Sequence, residues 1–298
     1  PDAMTTTSTH DTKRGEDVRA RIDALAELPV WWSETLRCLL DAVPVPDEGL
    51  GNLLWQAIVG CWPASEERLA AYAQKAMREA GQQTTWTEPD EHFESAVQAA
   101  VRAAYGNPAV HQLLDGAANE LAPYGWSNAL SAKLLALTIP GVPDVYQGSE
   151  LWEQSLVDPD NRRPVDFEVR RRMLHDLDAT GAQAPARPIR LDDTGSAKLH
   201  VVSTVLRLRR DRPDLFSHYE PVHADGPAAE HVLSFDRGGL ITVVTRMPVG
   251  LERRGGWSGT RLVLPAGRFR DALTGRRADP DLTKLLECLP VAVLVRES

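Results

Sequence analysis

Hydrophobic residues recur at spacings of three and four over most of the chain before Pro213, as in helices that bury one face. One such stripe runs from Leu69 to Ala80 and is followed by Gly81, a residue type that commonly ends helices. The pattern predicts helices over residues 16–28, 31–40, 69–80, 89–105, 127–137, 167–177 and 199–210.

Two short stretches in this helical part are predicted as strands. Residues 5–9 contain four β-branched threonines, and residues 142–146 follow a proline-glycine turn. Polar residues follow each of them, His10 and Asp11 in the first case and Gln147 in the second. Polar side chains at the carboxyl ends of strands form the catalytic rim of a (β/α) barrel, so we expect a site there. A leading barrel strand needs neighbours, so residues 5–9 are expected to form an edge strand or to belong to a longer protein.

After Pro213 the pattern changes to short strand-like runs separated by glycine-rich turns. The runs are residues 231–235, 240–246, 261–264 and 291–295. They predict a small antiparallel β domain. No glycine-rich segment lies between a strand and a helix, so no nucleotide-binding loop is expected.

The composition narrows the possible partners. Hydrophobic residues make up 43% of the chain and charged residues 25%, as in soluble globular proteins. The net charge of −9 argues against a nucleic-acid partner. No apolar run approaches the length of a membrane span and no signal peptide is recognised, so we expect a cytoplasmic protein without a membrane partner. The three cysteines are far apart, which favours buried thiols over a disulfide or a metal site.

Asp11 and the two basic residues after it each have two interpretations. Asp11 could cap the following helix through the backbone N–H groups that are free there or lie in a turn, or it could be a catalytic carboxylate at the rim. Lys13 and Arg14 could be solvated residues at a helix start, although positive charge is unfavourable at that end of the helix dipole. The alternative for both is a role in substrate binding.

The polar segment VDPDNRRPVDF, residues 157–167, is also open to two interpretations. It could be a surface loop held by its own Asx turns and Asp–Arg pairs. It could instead form a rigid polar lip over a sugar site, because Asp160, Asn161 and Arg162 carry groups that hydrogen-bond hydroxyls in pairs.

Three segments together resemble one family. They are STHDTKRGEDVRARI (8–22), GVPDVYQGSELWEQSLVDPDNRRPVDF (141–167) and the closing β domain, and the helical segment 75–94 agrees with them. The chain is similar to the C-terminal part of the maltooligosyl trehalose synthases, which belong to the α-amylase superfamily, glycoside hydrolase family 13.

The resemblance implies an α/β fold, with residues 5–9 and 142–146 as the last two strands of a (β/α)8 TIM barrel. It implies four parts: residues 1–48 with the seventh strand and the helices after it, a helical insert at 49–125, the eighth strand and last barrel helices at 126–216, and an antiparallel β-sandwich at 217–298.

The resemblance also implies site roles. Asp11 matches the carboxylate of the catalytic triad that binds and distorts the sugar ring, and His10 matches a substrate-binding histidine beside it. Substrate-binding roles are implied for Lys13, Arg14, Tyr146, Gln147, Asp160, Asn161 and Arg162. The nucleophile and the general acid find no matching motif here, so the N-terminal portion of the same enzyme, with the other part of the barrel, is an expected partner. No metal or cofactor is implied.

The implied reaction turns the reducing-end α-1,4 bond of a maltooligosaccharide into an α,α-1,1 bond by a retaining mechanism, as an isomerase of trehalose biosynthesis. Two alternatives remain open at this point. One is a related hydrolase of α-glucans or maltooligosyl trehalose, and the other is a non-catalytic carbohydrate-binding or assembly fragment.

Overall fold

The structure is a computed structural model that describes residues 3–183 and 189–297. It divides into two compact units, each built from separate stretches of the chain. The helical unit comprises His10–Ala122 and Gln154–Arg163. The sheet unit comprises Pro1–Thr9, Pro123–Glu153 and Pro164–Ser298.

Capping side chains mark the starts of several helices in the helical unit. Asp47, Ser65 and Asp90 each accept a hydrogen bond from a backbone N–H in the first turn of the helix that follows. The helices are α1 (Glu16–Asp23), α2 (Pro29–Ala42), α3 (Glu48–Cys61), α4 (Glu66–Ala80), α5 (Glu91–Gly106) and α6 (Pro108–Thr138), the last counted in this unit up to Ala122.

Close packing of α1 against α3 defines the core of the helical unit. A Cβ atom placed on Gly60 would lie 2.9 Å from both Val18 Cγ1 and Ile22 Cδ1, so only glycine lets these helices approach so closely. Arg21, which is buried, donates to the carbonyl oxygens of Val59 and Trp62 at 3.2 and 2.9 Å. These bonds satisfy carbonyl groups at the end of α3 that have no partner within the helix.

The sheet unit contains a parallel strand pair and an antiparallel sheet. Strand β1 (Met4–Thr5) pairs in parallel with β2 (Val142–Pro143). Helices α7 (Phe167–Gln183) and α8 (Ser196–Asp211) follow along the chain. The remaining elements are β3 (Glu220–Pro221), β4 (Ala224–Asp225), β5 (Val232–Asp236), β6 (Leu240–Thr245), α9 (Pro248–Arg253), β7 (Arg261–Leu262), β8 (Phe269–Asp271), α10 (Leu282–Leu285) and β9 (Val291–Arg296).

Five of these strands form one antiparallel sheet in the order β3-β5-β6-β9-β8, and β4 pairs with β7 separately. Leu240 and Val244 of β6 pack with Leu134 of α6 and Val201 of α8, whereas Ile241 and Val243 pack in a second cluster with Trp257 and Phe269. Alternate residues of β6 therefore serve two hydrophobic clusters, which explains why all six of its residues are buried.

The structure corrects several predicted boundaries. The first helix ends at Asp23 and continues only as a 3-10 turn, and Pro29 begins α2 instead of ending α1, because a first-turn proline loses no intrahelical hydrogen bond. Ser127 lies inside α6 and caps no helix, since α6 starts at Pro108. Both predicted barrel strands are shorter than expected, at two residues each. The alanine, glycine and proline content of residues 179–188 predicts a linker, but α7 extends to Gln183, and residues 184–188 lie outside the described residues.

Candidate functional site

A polar loop at residues 154–163 lies in the helical unit and carries three of the predicted binding residues. Its backbone contacts the segment before α1: the Gly15 N–H donates to the Ser155 carbonyl at 2.8 Å, and Arg14 forms an antiparallel bridge with Leu156. The Asp158–Pro159 peptide bond is cis. The loop is therefore fixed along one side by the segment that holds His10 and Asp11.

Asp160 anchors this loop from within. Its carboxylate receives Nε and Nη2 of Arg68 at 2.6 and 2.8 Å, and the Leu156 N–H at 2.7 Å. The Asp160 side chain is only 11% exposed. Burial alone would raise its pKa, but the Arg68 hydrogen bonds, the Leu156 N–H and the nearby Arg163 together hold the pKa of Asp160 below its usual value. The sequence predicted a sugar-binding role for Asp160, whereas the structure shows an internal ion pair.

Asn161 connects the loop directly to the predicted catalytic pair. Its side chain is buried, and Nδ2 donates to the backbone carbonyl of His10 at 2.8 Å. The structure thus brings together two candidates that are 151 positions apart in the sequence. The amide holds the backbone at His10 and is turned away from solvent.

His10 and Asp11 themselves lie on the surface of the helical unit. His10 Nε2 is 3.4 Å from Asp11 Oδ2, and the two side chains are 54% and 86% exposed. Asp11 is not the N-cap of α1, because that position is held by Gly15, which provides no side-chain cap. The capping interpretation of Asp11 is therefore wrong, and its carboxylate is accessible to a ligand.

Lys13 and Arg14 have partners within the helical unit. Lys13 Nζ lies 2.8 Å from Glu79 Oε2, and this hydrogen bond raises the pKa of Lys13 and lowers that of Glu79. Arg14 donates to the Leu53 carbonyl at 3.4 Å. Arg14 also lies beside Tyr72, where its charge opposes the rise in the tyrosine pKa that burial produces.

Arg162, the third candidate in the loop, pairs with Asp158 through Nε and Oδ1 at 2.6 Å and is 55% exposed. The carbonyl oxygen of Asp158 accepts from Lys75 Nζ at 2.7 Å. The Asp–Arg pairs expected of a surface loop are thus present, and α4 adds bonds from outside the loop.

Sequence reasoning missed one face of α4. Arg68, Lys75 and Glu79 recur at spacings of seven and four, so they share one side of the helix. Arg68 and Lys75 bind the 154–163 loop, and Glu79 binds Lys13. The hydrophobic stripe of α4 drew attention to its buried face, although the polar spacing on this other face could have predicted a contact surface.

Tyr146 and Gln147 lie in the sheet unit, in the turn that follows β2. The Tyr146 carbonyl accepts from both N and Oγ of Ser149, at 3.0 and 2.7 Å. The buried Lys133 of α6 donates to Ser149 Oγ at 3.2 Å and approaches Thr7 Oγ1 at 3.5 Å. The turn is therefore held from α6, with the Tyr146 side chain partly exposed and that of Gln147 exposed.

Over residues 3–183 and 189–297 there is no group of three or more histidine, cysteine, aspartate or glutamate side chains placed to hold a metal ion. In the same part of the chain, none of the helices is both long and apolar enough to cross a membrane.

Comparison with known proteins gave one consistent result. Proteins from two strains of Mycobacterium tuberculosis, each named "Putative maltooligosyl trehalose synthase", are 46% identical over 310 residues and match 100% of this chain. The chain spans 38% of the length of these curated relatives. No family model matches the chain.

Solved structures agree with the sequence matches. The structure of maltooligosyltrehalose synthase from Arthrobacter ramosus superposes with a TM-score of 0.95 at 51% identity, covering 100% of this chain and 39% of that one. A glycosyltrehalose synthase superposes at 0.83 with 28% identity, covering 99% of this chain and 38% of that one. Over its whole length, the chain corresponds to the C-terminal part of the maltooligosyl trehalose synthases.

Proposed function

We propose that the protein carrying this chain is a maltooligosyl trehalose synthase, an isomerase that acts as an intramolecular transferase. The observation that carries the proposal is the match to the Arthrobacter ramosus structure over the whole chain at 51% identity. The reaction turns the reducing-end α-1,4 bond of a maltooligosaccharide into an α,α-1,1 bond, as a step of trehalose biosynthesis.

In this proposal β1 and β2 are the seventh and eighth strands of a (β/α)8 barrel. Their parallel pairing, Met4 with Val142 and Thr5 with Pro143, supports this because neighbouring barrel strands run parallel. The four-part division at residues 48, 125 and 216 and a sandwich architecture for the closing β domain belong to the same proposal. The N-terminal portion of the enzyme supplies the remaining strands.

The proposed chemistry is a retaining double displacement. A general acid protonates the leaving glycosidic oxygen while a nucleophile forms a glycosyl-enzyme, from carboxyl groups that are typically about 5 Å apart. The released glucose stays bound, turns and attacks through its anomeric hydroxyl, and the acid, now a base, takes the proton of that hydroxyl. Both carboxyl groups belong to the N-terminal portion.

Asp11 is the member of the triad that this chain provides. Its side chain is 86% exposed, so a sugar hydroxyl can reach the carboxylate. Contacts of this kind accelerate the reaction when they strengthen in the transition state. His10 beside it contributes a second substrate contact, and the Asn161 amide holds the His10 backbone.

The other candidate residues also contact substrate in this proposal. Lys13 and Arg14 contact the reducing-end units, and Tyr146 and Gln147 present polar side chains after β2. The loop with Asp160 and Arg162 forms part of a cover that excludes water, which would otherwise hydrolyse the glycosyl-enzyme to free glucose.

The deciding experiment follows a maltooligosaccharide of defined length with the full-length protein. We expect reducing ends to disappear while the number of glucose units per chain stays constant. Shorter chains or new reducing ends would favour the hydrolase. Saturable binding without any change of the sugar would favour a non-catalytic fragment.

We also propose a cytoplasmic location. Cys38, Cys61 and Cys288 are free among the described residues, as is usual where thiols stay reduced. Cys61 is fully buried, and this burial raises its pKa to about 12, so the thiol stays protonated and unreactive.

A further inference from the structure

A cleft of about 550 Å³ lies within the sheet unit, a size in the usual range of small-molecule sites. Its lining includes the turn at Pro140 and Gly141, the aromatic rings of Phe216 and Tyr219, and two arginines, Arg209 and Arg237. The proposed function uses none of these residues.

Arg209 lies on one wall and is held in place. Its Nη1 and Nη2 donate to the carbonyl oxygens of Leu137 and Gly141 at 3.0 and 2.8 Å, and its guanidinium lies 4.7 Å from the centre of the Phe216 ring. Each of these nitrogens keeps a second hydrogen, because a guanidinium has five N–H groups.

Arg237 is buried far more deeply, with only 5% of its surface exposed. Its Nη2 donates to the carbonyl oxygen of Phe216. Its Nε and Nη1 are buried and have no hydrogen-bond partner. A buried donor without a partner is costly, and more so when the group is charged, so these nitrogens need an acceptor.

The two guanidinium groups also lack a counter-charge. Within residues 3–183 and 189–297, neither Arg209 nor Arg237 has an Asp or Glu oxygen within 4.0 Å. Burial, followed by the neighbouring charge of Arg209, holds the pKa of Arg237 below its usual value. Two partly buried like charges that remain unpaired favour the binding of an anion between them.

We propose that this cleft binds the phosphate group of a small phosphate monoester, with Arg209 and Arg237 as its charge partners. A phosphate monoester carries up to two negative charges at neutral pH and so balances both guanidinium groups, whereas a carboxylate balances only one. Guanidinium groups also match phosphate oxygens in geometry. The rest of the cleft leaves room for the organic part beside Tyr219, which is 50% exposed.

The test is calorimetric titration of the full-length protein with inorganic phosphate, compared with acetate at equal ionic strength. We expect saturable phosphate binding that is at least about tenfold tighter than acetate binding, because the dianion balances both arginines. Acetate binding as tightly as phosphate, or no saturable binding of phosphate, would overturn the proposal.

Two substitutions test whether phosphate binds in this cleft. We expect Arg237→Met to weaken phosphate binding by about tenfold or more, as loss of a charged hydrogen-bond partner does. Arg212→Met is the matched control, because Arg212 lies next to the cleft residue Pro213 but is 51% exposed and pairs with Asp214 at 2.8 Å. Equal losses in both variants would place the binding elsewhere.

If Arg237→Met does not fold, hydrogen exchange of the unaltered protein tests the same site. Phosphate should slow hydrogen exchange of the backbone at residues 216–219 relative to chloride at equal ionic strength, because these residues line the cleft. Unchanged exchange there at saturating phosphate would contradict the proposed site.

Discussion

Asn161 donates a hydrogen bond from its side-chain amide to the backbone carbonyl of His10, at 2.8 Å. Because Asn161 is buried, this bond fixes the backbone beside the proposed catalytic Asp11 without exposing the amide to a ligand. Asn161 is therefore a positioning residue in our proposal, and it acts through the segment that carries His10 and Asp11.

Replacing this amide with a carboxylate tests that role. In Asn161→Asp an ionised oxygen would face the His10 carbonyl, and we expect loss of about 1–3 kcal/mol of transition-state stabilisation, a fall in kcat/KM of about 5- to 150-fold. Steady-state kinetics on the full-length protein measure it, with the exposed loop residue Arg163 changed to Gln as control. A fall confined to stability, with kcat/KM unchanged, would refute a positioning role.

The Arg68–Asp160 pair should stabilise the helical unit. The two side chains are 20% and 11% exposed, so Arg68→Met leaves a largely buried carboxylate without its main partner. We expect a loss of about 3 kcal/mol in the free energy of unfolding, measured by urea titration. Arg163→Met is the control, since Arg163 reaches the same carboxylate at 3.0 Å but is 50% exposed and should cost about 1 kcal/mol or less. Equal losses in the two variants would contradict this ranking.

The lowered pKa of Asp160 also predicts that the protein loses folding stability in acid. Its folded-state pKa lies below the ordinary value of 3.8, so it contributes stability that is fully present above that value. This contribution is lost as the pH falls through the lower folded-state pKa. We expect Asp160→Asn to be less stable than the unaltered protein at neutral pH and to lose less stability on acidification.

Unfolding measured across the acidic range checks this pH dependence. Asp176→Asn serves as the control, because that carboxylate is 82% exposed. If Asp160→Asn and the unaltered protein lost stability in parallel, the pKa of Asp160 would not be the source.

Asp11→Asn should separate catalysis from folding. The side chain is 86% exposed, so the substitution should leave the melting temperature within about 2 °C of the unaltered value. We expect turnover of maltooligosaccharide by the full-length protein to fall by about a hundredfold or more, since an amide accepts hydroxyl hydrogen bonds more weakly than a carboxylate. A reducing-end assay measures this, again against Asp176→Asn. A variant that keeps most of its rate would remove Asp11 from the triad.

Local patterns predicted the helices well where one face is buried. The spacing of hydrophobic residues predicts a helix over 89–105, and Phe93, Val97, Ala100, Val101 and Ala104 of α5 are all buried. Strand length was predicted poorly: the parallel pairing of β1 ends at Thr5, although the threonines that follow have high β propensity. β propensity is a property of a single residue, whereas a strand forms only where a neighbouring strand pairs with it.

For the candidate site, too, the sequence predicted local features but not contacts between distant residues. His10 and Asp11 stand out in the sequence because they follow a predicted strand, and residues 160–162 stand out because they lie in a dense polar segment. Arg68 and Glu79 do not stand out, because they look like ordinary surface charges on a helix. Arg68 lies 92 positions from its partner Asp160, and Glu79 lies 66 positions from its partner Lys13. Interactions between distant parts of a chain leave no local pattern to read.

Because each unit is built from separate stretches of the chain, the parts of one unit are synthesised at different times. The ribosome makes all of α1 to α5 before it makes residues 154–163. Only after that can the ion pair between Arg68 and Asp160 form, together with the hydrogen bond from Asn161 to the His10 carbonyl. Closing a contact over so many residues costs entropy that the late loop must offset with its own bonds. The segment with Asp11 is thus made early but gains its final support late, so a truncated product that ends before Gln154 would keep the helices of this unit and lose that support.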